Sequence, residues 1–146
     1  MPRILTKGTR AVVTGASGHL GFHIAKELLK NGVVTTVAVR RQNENIEELA
    51  ALGATVQILD LYDSARLRSI LTGIDVFFHV AAQNTTSTSN PESILASTVG
   101  LAKGVLEAAV DAAIPIIVYT SSVVVIGRSS DPQRLLTEKD RTTRCV

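Results

Sequence analysis

Apolar positions along this chain change their period repeatedly, from continuous runs to helical spacing and back. The run "RAVVTG" at 10–15 is short, continuous and closed by glycine, which predicts a strand buried on both faces. In "HLGFHIAKELLKNG", 19–32, Leu20, Ile24 and Leu28 recur at helical spacing, and Gly32 stands where a helix stops. β-Branched residues fill "VVTTVAV", 33–39, and predict a second strand. A helix follows over 43–53, with acids early and Gly53 after its end, then a third strand over 54–61 and a shorter helix over 64–73 closing on Gly73. A fourth strand is predicted over 75–82, a polar loop over 83–91 and a long helix over 92–113. Ile94, Thr98, Leu101, Val105 and Ala109 share one face of that helix. The fifth strand covers 114–122, with Pro115 at its beginning, where proline is tolerated.

Strand and helix thus alternate, and the strands read as continuous rather than alternating apolar runs. Parallel strands need crossover helices, which then cover both faces of the sheet. Right-handed crossovers favour an α/β doubly wound parallel sheet, a Rossmann-type fold with strand order 3-2-1-4-5. No repeat, linker or second domain is visible, so residues 1–146 are expected to form a single domain.

Composition narrows the function classes. The chain is 45% hydrophobic and 19% charged, as soluble globular proteins are. With 3% aromatic residues and no Trp it lacks stacking platforms, and its net charge of +2 comes without a long basic block; no nucleic-acid partner is expected. No apolar run approaches the roughly 20 residues that span a bilayer, so no membrane partner is expected. The start has no apolar core of signal-peptide length. The single cysteine, Cys145, excludes an intrachain disulfide and fits a reducing compartment, with cytoplasm the expected location. In that setting the sequon Asn84-Thr85-Thr86 reads as chance rather than as a glycan site.

The chemistry begins at "TGASGHLG", where glycine recurs at 15, 18 and 21 directly after the first strand. In a doubly wound sheet the ligand sits outside the carboxyl ends of the strands, where strand order reverses. Gly15 permits the tight turn out of the strand. Gly18 has no side chain, so a pyrophosphate can approach the backbone beside Ser17, His19 and Leu20. Gly21 lets the following helix pack closely on the sheet. Unpaired amides at the helix start favour an anion.

Thr14 to Gly21 resembles the TGxxGxxG fingerprint of the extended short-chain dehydrogenases/reductases, the group of nucleotide-sugar epimerases and dehydratases, 3β-hydroxysteroid dehydrogenases and dihydroflavonol reductases. Further matches fall in order: Asp60-Leu61 after strand three, His79-Val80-Ala81-Ala82 after strand four, and Tyr119-Thr120-Ser121-Ser122 with Gly127 after strand five. Together they cover residues 10–128; residues 129–146 read as an irregular tail. The resemblance implies that Asp60 accepts a hydrogen bond from the adenine amine; helix capping is its plainer reading. Ala81 and Ala82, being small, leave room for a cofactor. His79 reads as a strand-end residue bonded within the fold.

Related NAD-selective sites place Asp or Glu at the end of strand two, for the ribose 2′-hydroxyl. Here Arg40 holds that position and Arg41 follows. A guanidinium can take a 2′-phosphate in two-pronged geometry, which favours NADP, with NAD the alternative. In the family, a serine at the end of strand five hydrogen-bonds the substrate oxygen, and a Tyr-x-x-x-Lys pair exchanges the proton. Aligned back from Gly127, that serine is Ser122. The only tyrosines are Tyr62, with Arg66 four residues on, and Tyr119, with Val123; neither matches the pair. Relatives carry it some twenty residues after Gly127, so the chain reads as stopping inside an enzyme fold, with the substrate-binding region absent.

The expectation is therefore the cofactor-binding portion of an oxidoreductase acting on a small-molecule carbonyl or alcohol, inactive alone. An epimerase or dehydratase on the same scaffold, and a non-catalytic dinucleotide sensor, are the alternatives. Family dimers pair through helices matching residues 92–112, which makes a homodimer the candidate assembly.

Overall fold

The computed structural model describes residues 5–82, 91–127, 129 and 131–140. The sequon, most of the predicted 83–91 loop, Cys145 and the side chain of Ile94 lie outside the described residues.

Five strands form one parallel sheet: β1 (Arg10–Thr14), β2 (Val34–Val39), β3 (Thr55–Ile58), β4 (Val76–His79) and β5 (Ile116–Tyr119), in the order β3-β2-β1-β4-β5. Four helices connect them: α1 (His19–Lys30), α2 (Glu44–Ala51), α3 (Ser64–Leu71) and α4 (Pro91–Asp111). This is the predicted doubly wound sheet. Its central strand is buried on both faces because successive residues feed opposite layers. Ala11 and Val13 pack with Phe22, Ala25 and Leu28 of α1 and Ile46 and Leu49 of α2. Val12 turns the other way, toward Leu67 and Leu71 of α3 and Val105, Ala108 and Ala109 of α4.

Three strands end earlier than their apolar runs. Beyond β3, Leu59 N–H still reaches Val39 O at 2.9 Å, but the Asp60 carboxylate then accepts Tyr62 N–H at 3.1 Å and turns the chain out of the sheet. Beyond β4, the amides of Val80 and Ala81 donate to the Thr14 hydroxyl, at 3.2 and 3.3 Å, in place of a strand neighbour. Beyond β5, Thr120 N–H makes one more ladder contact, to His79 O at 3.0 Å. Pro91, assigned to a loop by its sequence, opens α4 instead; a first-turn residue needs no backbone donor.

The face that α1 buries is also displaced from the predicted stripe. Gly21, Phe22, Ala25 and Leu28 are buried, whereas Leu20 is half exposed at the carboxyl edge of the sheet. Among the described residues no helix is long and apolar enough to cross a membrane.

Candidate cofactor-binding site

Strand order reverses between β1 and β4, and an open cleft of about 1030 Å³ lies at the carboxyl ends of the strands there. One wall is the turn from Gly15 to Gly21. Gly15 has φ +77°, and a Cβ on it would meet the Ala81 nitrogen at 2.7 Å, so the turn lies directly against the segment leaving β4. Gly21 is equally constrained: a Cβ there would come within 2.6 Å of the Gly15 carbonyl carbon. The helix therefore packs on the turn itself, a closer contact than the sheet packing expected from sequence. Gly18 differs from both. Its φ of −94° suits any residue, and a Cβ would meet only Gly15 O, at an ordinary 3.5 Å.

Gly18 caps α1 without a side-chain hydrogen bond, and the first intrahelical bond of α1 is Phe22 N–H to Gly18 O at 3.0 Å. The amides of His19, Leu20 and Gly21 consequently have no partner within the helix and stand at its positive end. An anion held there needs no side-chain cation.

The other walls come from the strand ends. Arg40 and Arg41 follow β2, Asp60 and Leu61 follow β3, and Val80, Ala81 and Ala82 follow β4; with Ser17, His19 and Leu20 all line the cleft. Both arginines are exposed, and among the described residues neither is in an ion pair. The cleft adds residues that the sequence reading passed over: Ala38, Val39, Gln42, Asn43, Ile58 and Leu59. Thr120, Ser121 and Ser122 are not among the residues lining it. They follow β5, one strand beyond β4, and Ser122 O accepts Val125 N–H at 3.1 Å at the start of a 3-10 turn (Val123–Ile126).

A buried polar tie joins the two strands at the reversal. Thr14 Oγ1 lies 2.8 Å from His79 Nδ1 while accepting the amides of Val80 and Ala81. With both lone pairs engaged, the hydroxyl proton is directed to Nδ1, so His79 is the neutral tautomer that carries its proton on Nε2. Burial without a facing anion pushes the imidazole down to about 4. The ring stacks on Phe77 and tilts against Tyr119. As its sequence position suggested, His79 is bonded within the fold.

A parallel sheet in this order, with a glycine turn and a cleft at its reversal, defines the NAD(P)-binding Rossmann fold. The family model of the 3-beta hydroxysteroid dehydrogenase/isomerase family matches residues 12–145, and the chain belongs to that family, within the extended short-chain dehydrogenases/reductases. Cinnamoyl-CoA reductase 2 of Arabidopsis thaliana is 33% identical over 143 residues, covering 92% of this chain and 42% of the reductase. The UDP-N-acetylglucosamine 4-epimerase from Methanobrevibacter ruminantium, solved with UDP-N-acetylmuramic acid, is 25% identical with a TM-score of 0.76, over 97% of this chain and 46% of its own. A UDP-glucose-4-epimerase from Stenotrophomonas maltophila, solved with bound NAD, shares the fold at 22% identity and a TM-score of 0.74, over 86% of this chain and 40% of its own. The chain spans less than half the length of these relatives. A nicotinamide dinucleotide is the cofactor of this family and fold.

Proposed function

We propose that this chain is the NADP(H)-binding portion of an oxidoreductase acting on the CH–OH or carbonyl group of a small molecule. The observation that carries the reading is the pair of guanidiniums at the end of β2, in no ion pair among the described residues, on the same cleft as the α1 amides that have no partner within the helix. The residues fit a dinucleotide: the backbone at Gly18, where a Cβ would meet only Gly15 O at an ordinary 3.5 Å, receives the pyrophosphate, and the amides of His19 to Gly21 neutralise it. Arg40 and Arg41 take the 2′-phosphate, Asp60 and Leu61 border the adenine, and Val80, Ala81 and Ala82 floor the site toward the nicotinamide. We assign Thr120 and Ser121, which follow β5 and lie outside the cleft lining, to the nicotinamide end of the cofactor, and Ser122 to the substrate oxygen. When bound, the nicotinamide supplies or accepts the hydride.

Proton exchange at the substrate oxygen needs a second group beside Ser122. Tyr62 O–H donates to Ser97 O at 3.4 Å and Tyr119 lies against His79, and neither has a lysine four residues on. The chain alone is thus proposed to bind cofactor without turning over. We place the protein in the cytoplasm on its cysteine usage, and propose a homodimer through α4, whose Leu95, Val99 and Val110 are exposed.

Binding is therefore the test. One good arginine contact to phosphate is worth about 1.5–3 kcal/mol, so NADP⁺ should bind roughly 10–100-fold more tightly than NAD⁺. Added salt should narrow the gap, because the contact is exposed. Arg40→Asp should reverse the preference by removing the cation and offering the ribose hydroxyl an acceptor. Calorimetric competition between the two cofactors at low and high salt measures this; an NAD⁺ preference in the unmutated chain would overturn the choice of NADP(H).

A further inference from the structure

The loop after β2 reaches the glycine turn through two side-chain amides. Asn43 Nδ2 donates to Ser17 O at 3.0 Å, and Asn45 Nδ2 donates to the same oxygen at 3.1 Å. Asn43 also caps α2, its Oδ1 accepting Ile46 N–H at 3.2 Å. Its amide orientation follows from these partners, since oxygen faces an N–H and nitrogen faces a carbonyl. The other end of the Ser17–Gly18 peptide is held as well, by Gly18 N–H to Gly15 O at 3.0 Å. One peptide plane in the middle of the turn is therefore fixed from both sides.

We propose that Asn43 and Asn45 are positioning residues that hold the glycine turn in its anion-binding shape and tie it to the loop presenting Arg40 and Arg41. The inference rests on the dinucleotide reading above and adds to it how the two phosphate subsites are coupled. Gly18 sits between the fixed peptide and the free amides of α1. A rotation of the Ser17–Gly18 plane would move the start of the helix and put a carbonyl or a Cα hydrogen where the pyrophosphate belongs. A turn already held before ligand arrives loses less conformational freedom on binding, which raises affinity without a new ligand contact. Asn43 is three residues beyond Arg40, so the same bonds set the distance between the 2′-phosphate and pyrophosphate ends of the cleft.

The double variant Asn43→Ser with Asn45→Ala separates this role from capping, because serine retains an acceptor for the Ile46 amide. Two probes are titrated into the whole chain: NADP⁺, and adenosine 2′-monophosphate, which carries the 2′-phosphate but no phosphate at its 5′ end. The variant should lose roughly tenfold in NADP⁺ affinity, the scale of one immobilisation cost, while the monophosphate changes less than about twofold. Without ligand, exchange of the Gly18 amide proton, followed by NMR, should be faster than in the unmutated chain. Unchanged NADP⁺ affinity and unchanged Gly18 exchange overturn the proposal. Equal loss for both probes overturns it too, since the amides would then support only the arginine loop. An unmutated chain that binds neither probe removes the dinucleotide reading itself, a result distinct from either.

Discussion

At the scale of single residues, the three glycines of the turn serve different ends, and substitution can tell them apart. A methyl group at Gly21 collides with the Gly15 backbone, which has nowhere to move because Gly15 itself is pressed against Ala81. Gly21→Ala should therefore cost about 1–3 kcal/mol of folding stability, the usual penalty of overpacking. At Gly18 the methyl group meets ordinary contacts and an unstrained backbone, and replacing a glycine cap by alanine costs only about 1 kcal/mol or less. Gly18→Ala should consequently keep most of its stability and still lose dinucleotide affinity, because it adds a methyl group at the turn where we propose that the pyrophosphate sits. Urea denaturation paired with NADP⁺ titration reads both quantities. Full affinity in Gly18→Ala would take the pyrophosphate away from this turn. Sequence spacing identified all three positions but could not rank them, because the ranking depends on what each absent side chain would touch.

At the scale of elements, the helix ends show where local sequence suffices. α1, α2 and α4 finish with the same pair of reverse bonds: Gly32 N–H to Leu29 O with Val33 N–H to Leu28 O, Gly53 N–H to Ala50 O with Ala54 N–H to Leu49 O, and Ala113 N–H to Val110 O with Ile114 N–H to Ala109 O. The first two stops were legible because glycine marks them. The third was not, and the helix was read to residue 113 although it ends at Asp111. There Ala113 adopts φ +52°, a left-handed conformation that its Cβ opposes. Ala113→Gly should relieve that strain. Offset by the greater freedom of glycine in the unfolded chain, the gain is about 0.5–1 kcal/mol, seen as a higher urea midpoint at unchanged slope. A lower midpoint would mean that the left-handed residue carries no strain. The displaced stripe on α1 has a different cause. Leu20, Ile24 and Leu28 satisfy helical spacing, but close contact at Gly21 rotates the helix so that Phe22 and Ala25 face the sheet. Periodicity records that a helix has an apolar side; tertiary contact chooses which residues occupy it.

At the scale of the whole molecule, the strand order and the place of the cleft followed from the alternation of elements, since the carboxyl ends of parallel strands converge wherever the order reverses, while Asp60, Leu61 and Val80 to Ala82 came from the family resemblance. What did not follow were bonds between residues far apart in sequence, such as Asn43 to Ser17 and Thr14 to His79. No local pattern encodes them. The second of these couples the β1–β4 seam to pH. The neutral imidazole of His79, 2% exposed, accepts the Thr14 proton, and burial holds it down at about 4 against an ordinary value near 6.5. As pH falls below 6.5 the unfolded chain takes up a proton that the folded chain refuses, so the unfolded state binds more protons and stability declines. The contribution is fully present above pH 6.5 and is lost progressively down to pH 4. Between pH 7.5 and pH 5, before carboxylates enter their ordinary range, the loss from this residue should be about 2 kcal/mol. His79→Asn supplies the control: its amide oxygen can accept the Thr14 proton but does not titrate. The variant should be less stable at pH 7.5, having given up the ring that packs on Phe77, yet its stability should fall less steeply toward pH 5. Comparing the two slopes cancels the other titrating groups. Equal slopes would show that His79 accepts its proton in the folded chain and that the tie to Thr14 does not hold the imidazole neutral.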